Sequence, residues 1–575
     1  MCGIKLVRDM LGLKKVVIGI EDNKPQAIKL MREKSADDES IEVKVLKSCY
    51  PQGAEKVIIF NTTGRVVGEG QLPSDQGVIV MNVTTAGFIG EYSKTGMPLI
   101  SKRITVDGDV VSTPCNVKVP IGTSAEDILK FGDCDKEKVR KALFGGPMMG
   151  MCLYELDTPV TKTTNAILAF GEKADKKKGN EDRCAQTNCI KCGRCISACP
   201  LNLMPTELEK AYDRRDKEAL MKLKVGLCMN CGSCSYVCPA KRDLAEKNQL
   251  AKAFKEHKEV RKKEKMLVSP SPQIRDNIST SKVMTHVLVA LCPALAMSAY
   301  VFGGRALMLT GFCMITALIW ERLCNLIMKR PDSTKDVSAL VTGMLLAFNL
   351  PVTMPYWQAA IGTFVAIVIV KQLFGGLGQN FANPAIVGRI VLMLAFTGNM
   401  THWVVPFYDP DNIVTGATPL AAAHSAPADY LDLFLGKVGG CLGEVSAAAL
   451  LIGGIYLIMM KIISVHTPLA FIGTVFVFSY LCGEDGIYKI LAGGVMLGAF
   501  FMATDYVTTP VTKTGKVIFG IGCGIITCVI RFFGSYPEGV SFSILLMNIL
   551  TPYIDMITKT KPLGAITKKK EAKSE

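Results

Sequence analysis

The chain has 575 residues, of which 20% are charged and 49% are hydrophobic. A mean hydropathy of +0.29 beside so many charges excludes a single uniform soluble domain, and it indicates a charged soluble part joined to a membrane part. The net charge is +15, and basic residues cluster in the runs 252–265 and 568–573. Basic runs of this kind are typical of membrane edges, so no nucleic-acid partner is expected.

The 21 cysteines do not form a disulfide framework, because those outside residues 189–238 are scattered singly along the chain. The N-terminal sequence MCGIKLVRDM carries charges where a signal peptide needs an apolar core. These two features predict that the first half of the chain lies in the reducing cytoplasm.

The first 97 residues have the pattern of an α/β region. A buried strand at Val16–Ile20 is followed by a polar loop and an amphipathic helix, which together predict a βα unit. Further strands are predicted at Ile41–Leu46 and at Gly77–Thr85, with the loop Tyr50–Lys56 between them. Residues 98–150 predict a small β-rich, β-grasp-like module that ends in the loop Gly145–Gly150.

Two cysteine runs dominate residues 151–266, and both read C-x2-C-x2-C-x3-C-P. This spacing is typical of two-cluster ferredoxins, in which three close cysteines bind one [4Fe–4S] cluster and the fourth binds the other. The alternative is zinc, which more often uses paired CxxC motifs. The predicted ligand sets are Cys189, Cys192, Cys195 and Cys238 for one cluster, and Cys228, Cys231, Cys234 and Cys199 for the other.

A linker at 267–282 leads to a polytopic all-α membrane domain at 283–558, and a basic tail follows at 559–575. Apolar segments of near-membrane length predict about ten transmembrane helices, the third and fifth of which are short. The predicted spans are 283–302, 304–325, 337–351, 356–372, 384–398, 438–460, 467–482, 488–504, 515–533 and 539–557.

The distribution of basic residues predicts the orientation of these helices. Lysines and arginines, among them Lys371 and Arg389, follow the spans that would end inside, whereas the loop 399–437 is acidic. The soluble half and the C-terminus are therefore predicted to be cytoplasmic, and the loop 399–437 lies on the outer side.

Within that outer loop, the sequence DNIVTGATPLAAAH places Thr418 before Pro419 and an alanine-rich run. Threonine suits a helix N-cap and proline suits the first helical position. The N-terminus of a helix favours the binding of a phosphate group, although an ordinary N-cap has the same sequence pattern.

Charged residues at predicted membrane depth are costly, so they are candidates for an ion path or for helix pairing. Most of them lie near predicted span ends, where their side chains could also reach the membrane surface. The candidates are Glu321, Arg322, Glu444, Asp505, Arg531, Glu538 and Asp555.

Residues 1–262 resemble the RnfC subunit of the Rnf electron-transport complex. The similarity is carried by IEDNKPQAI, YPQGAEK, GVIVMNV, VDGDV, VPIGT and GGPMMG, followed by the two ferredoxin runs. The resemblance implies a noncovalent FMN and NAD(H) in the N-terminal region, close to Glu21, Asp22, Asn23, Gly53, Glu55, Asn82 and Thr84. The family's glycine-rich nucleotide loop is missing from this sequence, so the nucleotide-binding lobe is expected on a separate chain, on a longer N-terminus, or not at all.

Residues 280–558 resemble the RnfD subunit and the related NqrB subunit. TGATPL is close to the S/T-G-A-T motif that carries FMN through a threonine phosphoester, which implies covalent FMN on Thr418 with backbone access at Gly416 and Ala417. FGGLGQNFANPA (374–385) resembles a family segment linked to flavin binding, and riboflavin is a further possible cofactor.

Together the resemblances imply an ion-translocating ferredoxin:NAD+ oxidoreductase subunit in the cell inner membrane, active only within its complex. Its partners would be A-, B-, E- and G-like Rnf subunits, ferredoxin and NAD(H). The coupling ion would be Na+ or H+. Two alternatives remain: a scaffold or assembly subunit without redox function, and part of a quinone-linked Nqr-like sodium pump.

Overall fold

The structure, a computed structural model, describes residues 1–171, 186–255, 272–330, 332–407, 415–416, 420, 429–534 and 538–565. The chain divides into two units. The first contains Met1–Gln186, Arg194–Asn277 and Thr560–Glu575, and the second contains Thr187–Gly193 and Ile278–Lys559.

The N-terminal part of the first unit is built on two parallel strands. β1 (Val16–Glu21) pairs with β2 (Ile41–Leu46) over all six positions, and Val16 lies opposite Ile41. The connection between them contains α2 (Pro25–Ser35), which starts on a proline because that residue needs no helical N–H donor at the first position. Both predicted strands and the βα unit are confirmed.

The predicted strand at Gly77–Thr85 is wrong. The segment begins as irregular backbone, and helix α4 (Val83–Thr95) starts within it. Asn82 caps this helix, because its side chain accepts a hydrogen bond from the Thr84 backbone N–H. The β-branched residues favour a strand, but Ile79 is 55% exposed, so the segment lacks the burial that stabilises a strand.

Helix α1 (Cys2–Met10) packs against α4, and α3 (Glu55–Thr63) follows the loop after β2.

A five-stranded mixed sheet follows, in the order β4-β3-β7-β5-β6. Its strands are β3 (Ser101–Asp107), β4 (Cys115–Pro120), β5 (Lys141–Phe144), β6 (Met151–Cys152) and β7 (Ala166–Phe170). Helix α5 (Ala125–Phe131) packs its buried Ile128 and Leu129 on the core of this sheet. The sheet therefore extends past residue 150, because β7 pairs in parallel with β3 and antiparallel with β5.

The remaining regular structure described in the first unit is helical. The helices are α6 (Arg194–Ser197), α7 (Pro205–Asp213), α8 (Lys217–Lys222), α9 (Ser233–Tyr236) and α10 (Leu244–Lys255). Their shared core contains Leu203, Leu208 and Leu227. Leu563, from the end of the described chain, packs against this core, and its backbone N–H donates to the Leu201 carbonyl at 2.9 Å.

The described part of the second unit is helical apart from connecting loops and the short pair β8 (Trp403–Val404) and β9 (Thr415–Gly416). Four of its described helices are long and apolar enough to cross a membrane: α11 (Thr280–Phe302), α12 (Gly304–Ile327), α22 (Lys513–Phe533) and α23 (Val540–Ile557). Shorter apolar helices are α13 (Ser338–Phe348), α15 (Pro384–Ala395), α18 (Ala447–Met459) and α19 (His466–Leu481). The predicted total of ten crossings is not confirmed by these lengths.

Two of the predicted spans contain irregular helix. α14 (Tyr356–Phe364) continues into a π-helix at Val365–Gln372. The segment predicted as the eighth span is divided into α20 (Gly486–Leu491), α21 (Val495–Leu497) and a π-helix at Gly498–Met502. The small helix α16 (Thr397–Met400) begins at the end of the fifth predicted span, and α17 (Tyr430–Leu435) lies outside the predicted spans. π-Helical turns are rare in proteins, and those that occur often lie at functional sites. The space beside the two π-helices is therefore a candidate functional site.

Two basic residues that supported the predicted orientation do not lie in loops. Lys371 is 2% exposed and Arg389 is 4% exposed, and each contacts buried acidic side chains. A lysine or arginine paired inside the protein does not report which loops face the cytoplasm, so these two residues drop out of the positive-inside argument.

Candidate cofactor sites

The two cysteine runs have matching backbone conformations. Left-handed backbone recurs at Lys191 and Asn230, and again 39 residues apart at Asn202 and Lys241. Each third cysteine lies on a short helix, Cys195 on α6 and Cys234 on α9, and these two helices contact each other. The repeated sequence spacing therefore corresponds to a repeated local fold.

The second predicted ligand set surrounds one cavity. Cys199, Cys228, Cys231 and Cys234 all line it, so the structure brings together three cysteines of one run and the last cysteine of the other. The first set is divided: Cys189 and Cys192 lie in the segment grouped with the second unit, whereas Cys195 and Cys238 lie in the first.

The chemistry of this cavity fits an iron–sulfur cube. Burial raises the pKa of the Cys199 thiol, and it raises the pKa of the Cys228 thiol to about 11. Bound iron would offset that cost, because a coordinating thiol is deprotonated by the metal. The Leu203 backbone N–H already donates to Cys199 Sγ at 3.4 Å, a contact of the kind that tunes cluster potentials.

Among the described residues, no three His, Cys, Asp or Glu side chains converge closely enough to hold a single metal ion. This finding does not conflict with the four thiols around the cavity. Ligands of one ion must meet at one point, whereas ligands of a cube bind separate iron atoms at its corners.

Tyr50 connects the N-terminal part of the first unit to this cavity. Its hydroxyl donates to the backbone carbonyl of Cys231 at 2.7 Å. Burial, together with the nearby Cys231, raises the pKa of Tyr50 to about 12. The phenol therefore remains a donor throughout the physiological pH range.

We expect Tyr50→Phe to lower the stability of the cluster region by about 1 kcal/mol, because one hydrogen bond is lost. The wild-type advantage should be complete below pH 10 and should fall as the pH approaches the folded-state pKa of about 12. Urea-induced loss of the cluster absorbance measures both effects. Tyr154→Phe, at another exposed tyrosine, is the control, and equal midpoints for the two variants would contradict the assignment.

The N-terminal flavin candidates separate into three places. Glu21, Asp22 and Asn23 follow or end β1, at the carboxyl edge of the parallel pair, where α/β folds commonly bind ligands. Asp22 Oδ1 accepts from the Ser48 backbone N–H at 3.0 Å, and Asn23 Nδ2 donates to Ser48 Oγ at 3.0 Å. The loop after β2 is thereby tied to the end of β1.

The other N-terminal candidates have local structural roles. Glu21 pairs with Lys24 at 2.7 Å, and Glu55 is the first residue of α3, two positions after the exposed Gly53. Asn82 and Thr84 form the cap of α4, in which Thr84 Oγ1 donates to Asn82 Oδ1 at 2.7 Å. These contacts leave the carboxyl edge of β1 and β2 as the best-formed part of the predicted flavin region.

Thr418 and Ala417 lie outside the described residues. Gly416 belongs to β9, where its backbone pairs with Trp403 of β8. Leu420, two residues after Thr418, packs with the buried residues Leu433, Tyr488 and Ala492. Leu420 is therefore held against α17 and α20.

A cavity of about 80 Å³ lies inside the second unit. Both π-helices border it. Its polar lining includes Ser338, Lys371, Asn380, Asn383 and Asp505, and its apolar lining includes Phe500 and Phe501. The buried Asn380 Oδ1 has no hydrogen-bond partner among the described residues, so a polar ligand edge would satisfy it.

Lys371 borders this cavity because a buried carboxylate holds it there. Its Nζ lies 3.0 Å from both carboxylate oxygens of Glu321, and it donates to Ser338 Oγ at 2.6 Å. Gln372 and Ser333 also donate to Glu321. In the sequence, the only signal for this site is a lysine within an apolar run, and the positive-inside rule assigns that lysine to a loop.

We expect Lys371→Met to destabilise the second unit by about 3–5 kcal/mol, because Glu321 is left charged and unpaired in the interior. The double variant Lys371→Met/Glu321→Met should recover most of the loss, since no buried charge remains. Thermal unfolding of the detergent-solubilised chain compares them. Equal melting temperatures for the single and double variants would show that the pair is not the cause.

The sequence models of three families match the chain. That of the NQR2, RnfD, RnfE family matches residues 267–564, which is more than half of the chain. The chain belongs to the NQR2, RnfD, RnfE family. The models of the Nuo51 FMN-binding domain and of the 4Fe-4S dicluster domain match residues 1–91 and 188–242, so this family member also carries an FMN-binding domain and a 4Fe-4S domain.

Three curated relatives, each named as the D component of its complex, align with this RnfD-like half. The one from the Na+-translocating ferredoxin:NAD+ oxidoreductase complex of Acetobacterium woodii is 49% identical, over 54% of this chain and 98% of that protein. Its counterpart from the proton-translocating complex of Clostridium ljungdahlii is 40% identical, over 53% and 97%. The relative from the ion-translocating oxidoreductase complex of Stutzerimonas stutzeri is 37% identical, over 50% and 92%. The predicted resemblance to RnfD is confirmed.

Proposed function

We propose that this chain is a subunit of an ion-translocating ferredoxin:NAD+ oxidoreductase complex of the Rnf type. The observation that carries the proposal is the near-complete alignment with the D component of the Acetobacterium woodii complex, in a chain that also carries a 4Fe-4S domain. The chain acts within a complex that includes other Rnf-type subunits, of the A-, B-, E- and G-like kinds, and it exchanges electrons with ferredoxin.

The bound groups supply the electron-transfer chemistry, and the protein supplies their binding, spacing and exclusion of water. Cys199, Cys228, Cys231 and Cys234 hold one [4Fe–4S] cluster, which their common cavity supports. The set Cys189, Cys192, Cys195 and Cys238 for a second cluster remains a prediction from the sequence spacing. Tyr50 fixes the backbone of the described cavity through the Cys231 carbonyl.

For flavin, we propose two places of attachment. Thr418 carries covalent FMN in the TGATPL motif, with Gly416 and Ala417 beside it. The carboxyl edge of β1 and β2 takes part in noncovalent FMN and NAD(H) binding if a nucleotide-binding lobe is supplied elsewhere. Riboflavin is a further, noncovalent cofactor of the proposal.

Reduction by ferredoxin tests the function. The purified complex, mixed with reduced ferredoxin, should show [4Fe–4S] signals by electron paramagnetic resonance, and those signals should disappear when NAD+ is added. A scaffold subunit would retain iron but would leave the signals unchanged under both conditions. A quinone-linked relative would be reoxidised by quinone and not by NAD+.

We propose that the chain is a multi-pass protein of the cytoplasmic (inner) membrane, with both ends in the cytoplasm. Asp276 and Leu563, which lie before and after the membrane helices, belong to the same structural unit. Their grouping in one unit supports an arrangement in which the chain leaves the membrane on the side where it enters, after an even number of crossings.

A topology reporter checks this arrangement. Alkaline phosphatase fused after Lys570 should be inactive, because that enzyme needs the oxidising outer side to form its disulfides. Green fluorescent protein at the same position should fluoresce. Alkaline phosphatase inserted in the loop 399–437 should be active, and the opposite pattern at either position would overturn the predicted sidedness.

A further inference from the structure

Two arginines and two glutamates form a buried cluster in the second unit, away from the Glu321–Lys371 pair. Arg389 lies in the middle of α15 and Arg531 near the end of α22, and Glu444 and Glu538 lie just before α18 and α23. The side chains of Arg389, Glu444 and Glu538 are 5%, 7% and 15% exposed. Burying four ionisable groups is costly, so their pairing needs a physical reason.

Arg389 is the centre of the cluster. Its Nη1 donates to Asn349 Oδ1 at 2.7 Å, to Ser541 Oγ at 3.0 Å and to Glu538 Oε1 at 3.2 Å. Its Nη2 donates to Glu538 Oε2, which makes the contact with this carboxylate bidentate. Glu444 Oε1 lies 3.5 Å from the same Nη1. Glu538 is therefore the direct counter-ion of Arg389, and Glu444 is a second carboxyl group beside it.

The two carboxyl groups also lie close to each other. A methyl group built on Gly494 would lie 2.4 Å from Glu538 Oε1 and 2.7 Å from Glu444 Oε1, so both oxygens border one small space. The same two oxygens lie 3.2 Å and 3.5 Å from Arg389 Nη1. Two carboxylates crowded at one site repel each other, and a proton bound to one of them removes that repulsion.

We propose that Glu444 and Glu538 share one proton and form a proton-binding site inside the membrane unit, with Glu538 paired to Arg389 and the proton carried mainly by Glu444. The proposal deepens the proposed function, since it assigns a proton site to an ion-translocating subunit. The proton's presence can nevertheless be measured in the resting protein without turnover.

The remaining groups around the pair allow the proton to leave. With both carboxyl groups ionised, their two negative charges would be matched by Arg389 and Arg531, so the cluster is neutral without the proton and carries one positive charge with it. Cys441 is a further titratable group at the cluster, since its Sγ lies 3.6 Å from Arg389 Nη2. Arg531 is held by the backbone carbonyl of Lys489, which accepts from its Nη1 at 2.7 Å. A site that binds and releases a proton needs two accessible charge states, and this cluster has them.

The surroundings favour a proton over a sodium ion. A cation held by oxygen ligands would need several free acceptors, but Asn349 Oδ1 and Ser541 Oγ already accept hydrogen bonds from Arg389. Two guanidinium groups would also repel it. The buried Nε atoms of Arg389 and Arg531 have no partner within the described part of the chain. These atoms are donors, which suit water or a carboxylate and not a metal cation.

Infrared spectroscopy tests the proposal on the purified full chain at neutral pH. The wild type should show the C=O stretch of a protonated carboxyl group, and this band should shift in D2O. Glu444→Gln should abolish the band, because glutamine keeps the shape and the hydrogen-bonding capacity of a protonated glutamate but has no acid proton. Glu484→Gln, at a side chain that is 30% exposed, is the matched control and should leave the band intact.

Two further measurements keep the outcome decisive. Glu538→Gln should also remove or shift the band, and circular dichroism must show that each variant retains its helical content. A band that is unchanged in both Glu444→Gln and Glu538→Gln would overturn the proposal, as would its loss on adding NaCl at constant pH, which would indicate a cation site. Neither result depends on whether the chain accepts electrons from ferredoxin, so failure of the two proposals can be told apart.

Discussion

Thr418→Ala should abolish completely the covalent flavin proposed for this chain. A phosphoester needs the threonine hydroxyl as its point of attachment, and alanine has none. In a denaturing gel the wild-type band should fluoresce under ultraviolet light, and the variant band should be dark at equal protein load. The iron content should be unchanged, because the predicted cluster ligands lie in residues 189–238.

The same motif offers a matched control. Thr415→Ala removes a hydroxyl three residues earlier, in β9, where the backbone of the residue pairs with Val404. We expect this variant to keep its fluorescence. Persistent fluorescence in Thr418→Ala, or equal loss in both variants, would mean that Thr418 is not the attachment site.

Cys231→Ser should remove one of the two proposed iron–sulfur clusters. Cys231 is 9% exposed and lines the cavity with Cys199, Cys228 and Cys234, so its loss leaves one corner of the cluster without its thiolate. We expect the iron and sulfide content to fall by about half, and one of two paramagnetic signals to disappear on reduction.

The control for this experiment is a cysteine of similar burial outside both runs. Cys152 is 6% exposed and lies on β6, so Cys152→Ser tests whether any buried thiol affects iron content. Full iron content is expected in that variant. If Cys231→Ser also retained the wild-type iron content, the ligand set built on this cavity would be wrong.

The features that could be predicted from the sequence are those whose signal is local. The parallel strands β1 and β2 follow from apolar runs of a few residues, and the cysteine runs follow from spacing alone. The strand predicted at Gly77–Thr85 failed for a local reason as well. The cap formed by Asn82 favours a helix start over the β-branched residues around it, and no neighbouring strand covers the segment.

The buried ion pairs could not be predicted, because they join residues that are far apart in the chain. Lys371 and Glu321 are separated by 50 positions, and Arg389 and Glu538 by 149. From the sequence, each of these side chains could equally reach the membrane surface from a helix end. Only the packing of α12 against the π-helix at Val365–Gln372 shows that Lys371 and Glu321 neutralise each other.

The contact between Leu563 and the core around Leu201 has a consequence for biosynthesis. Thr560 Oγ1 also donates to the carbonyl of Asn202, so two residues that are synthesised after the last membrane helix complete a domain encoded far upstream. The ribosome must therefore finish nearly the whole polypeptide, and the translocon must release the final helix, before the iron–sulfur domain reaches its full packing. Chains that terminate early would leave that domain without its last contacts, which makes them recognisable to quality-control proteases before they join a complex.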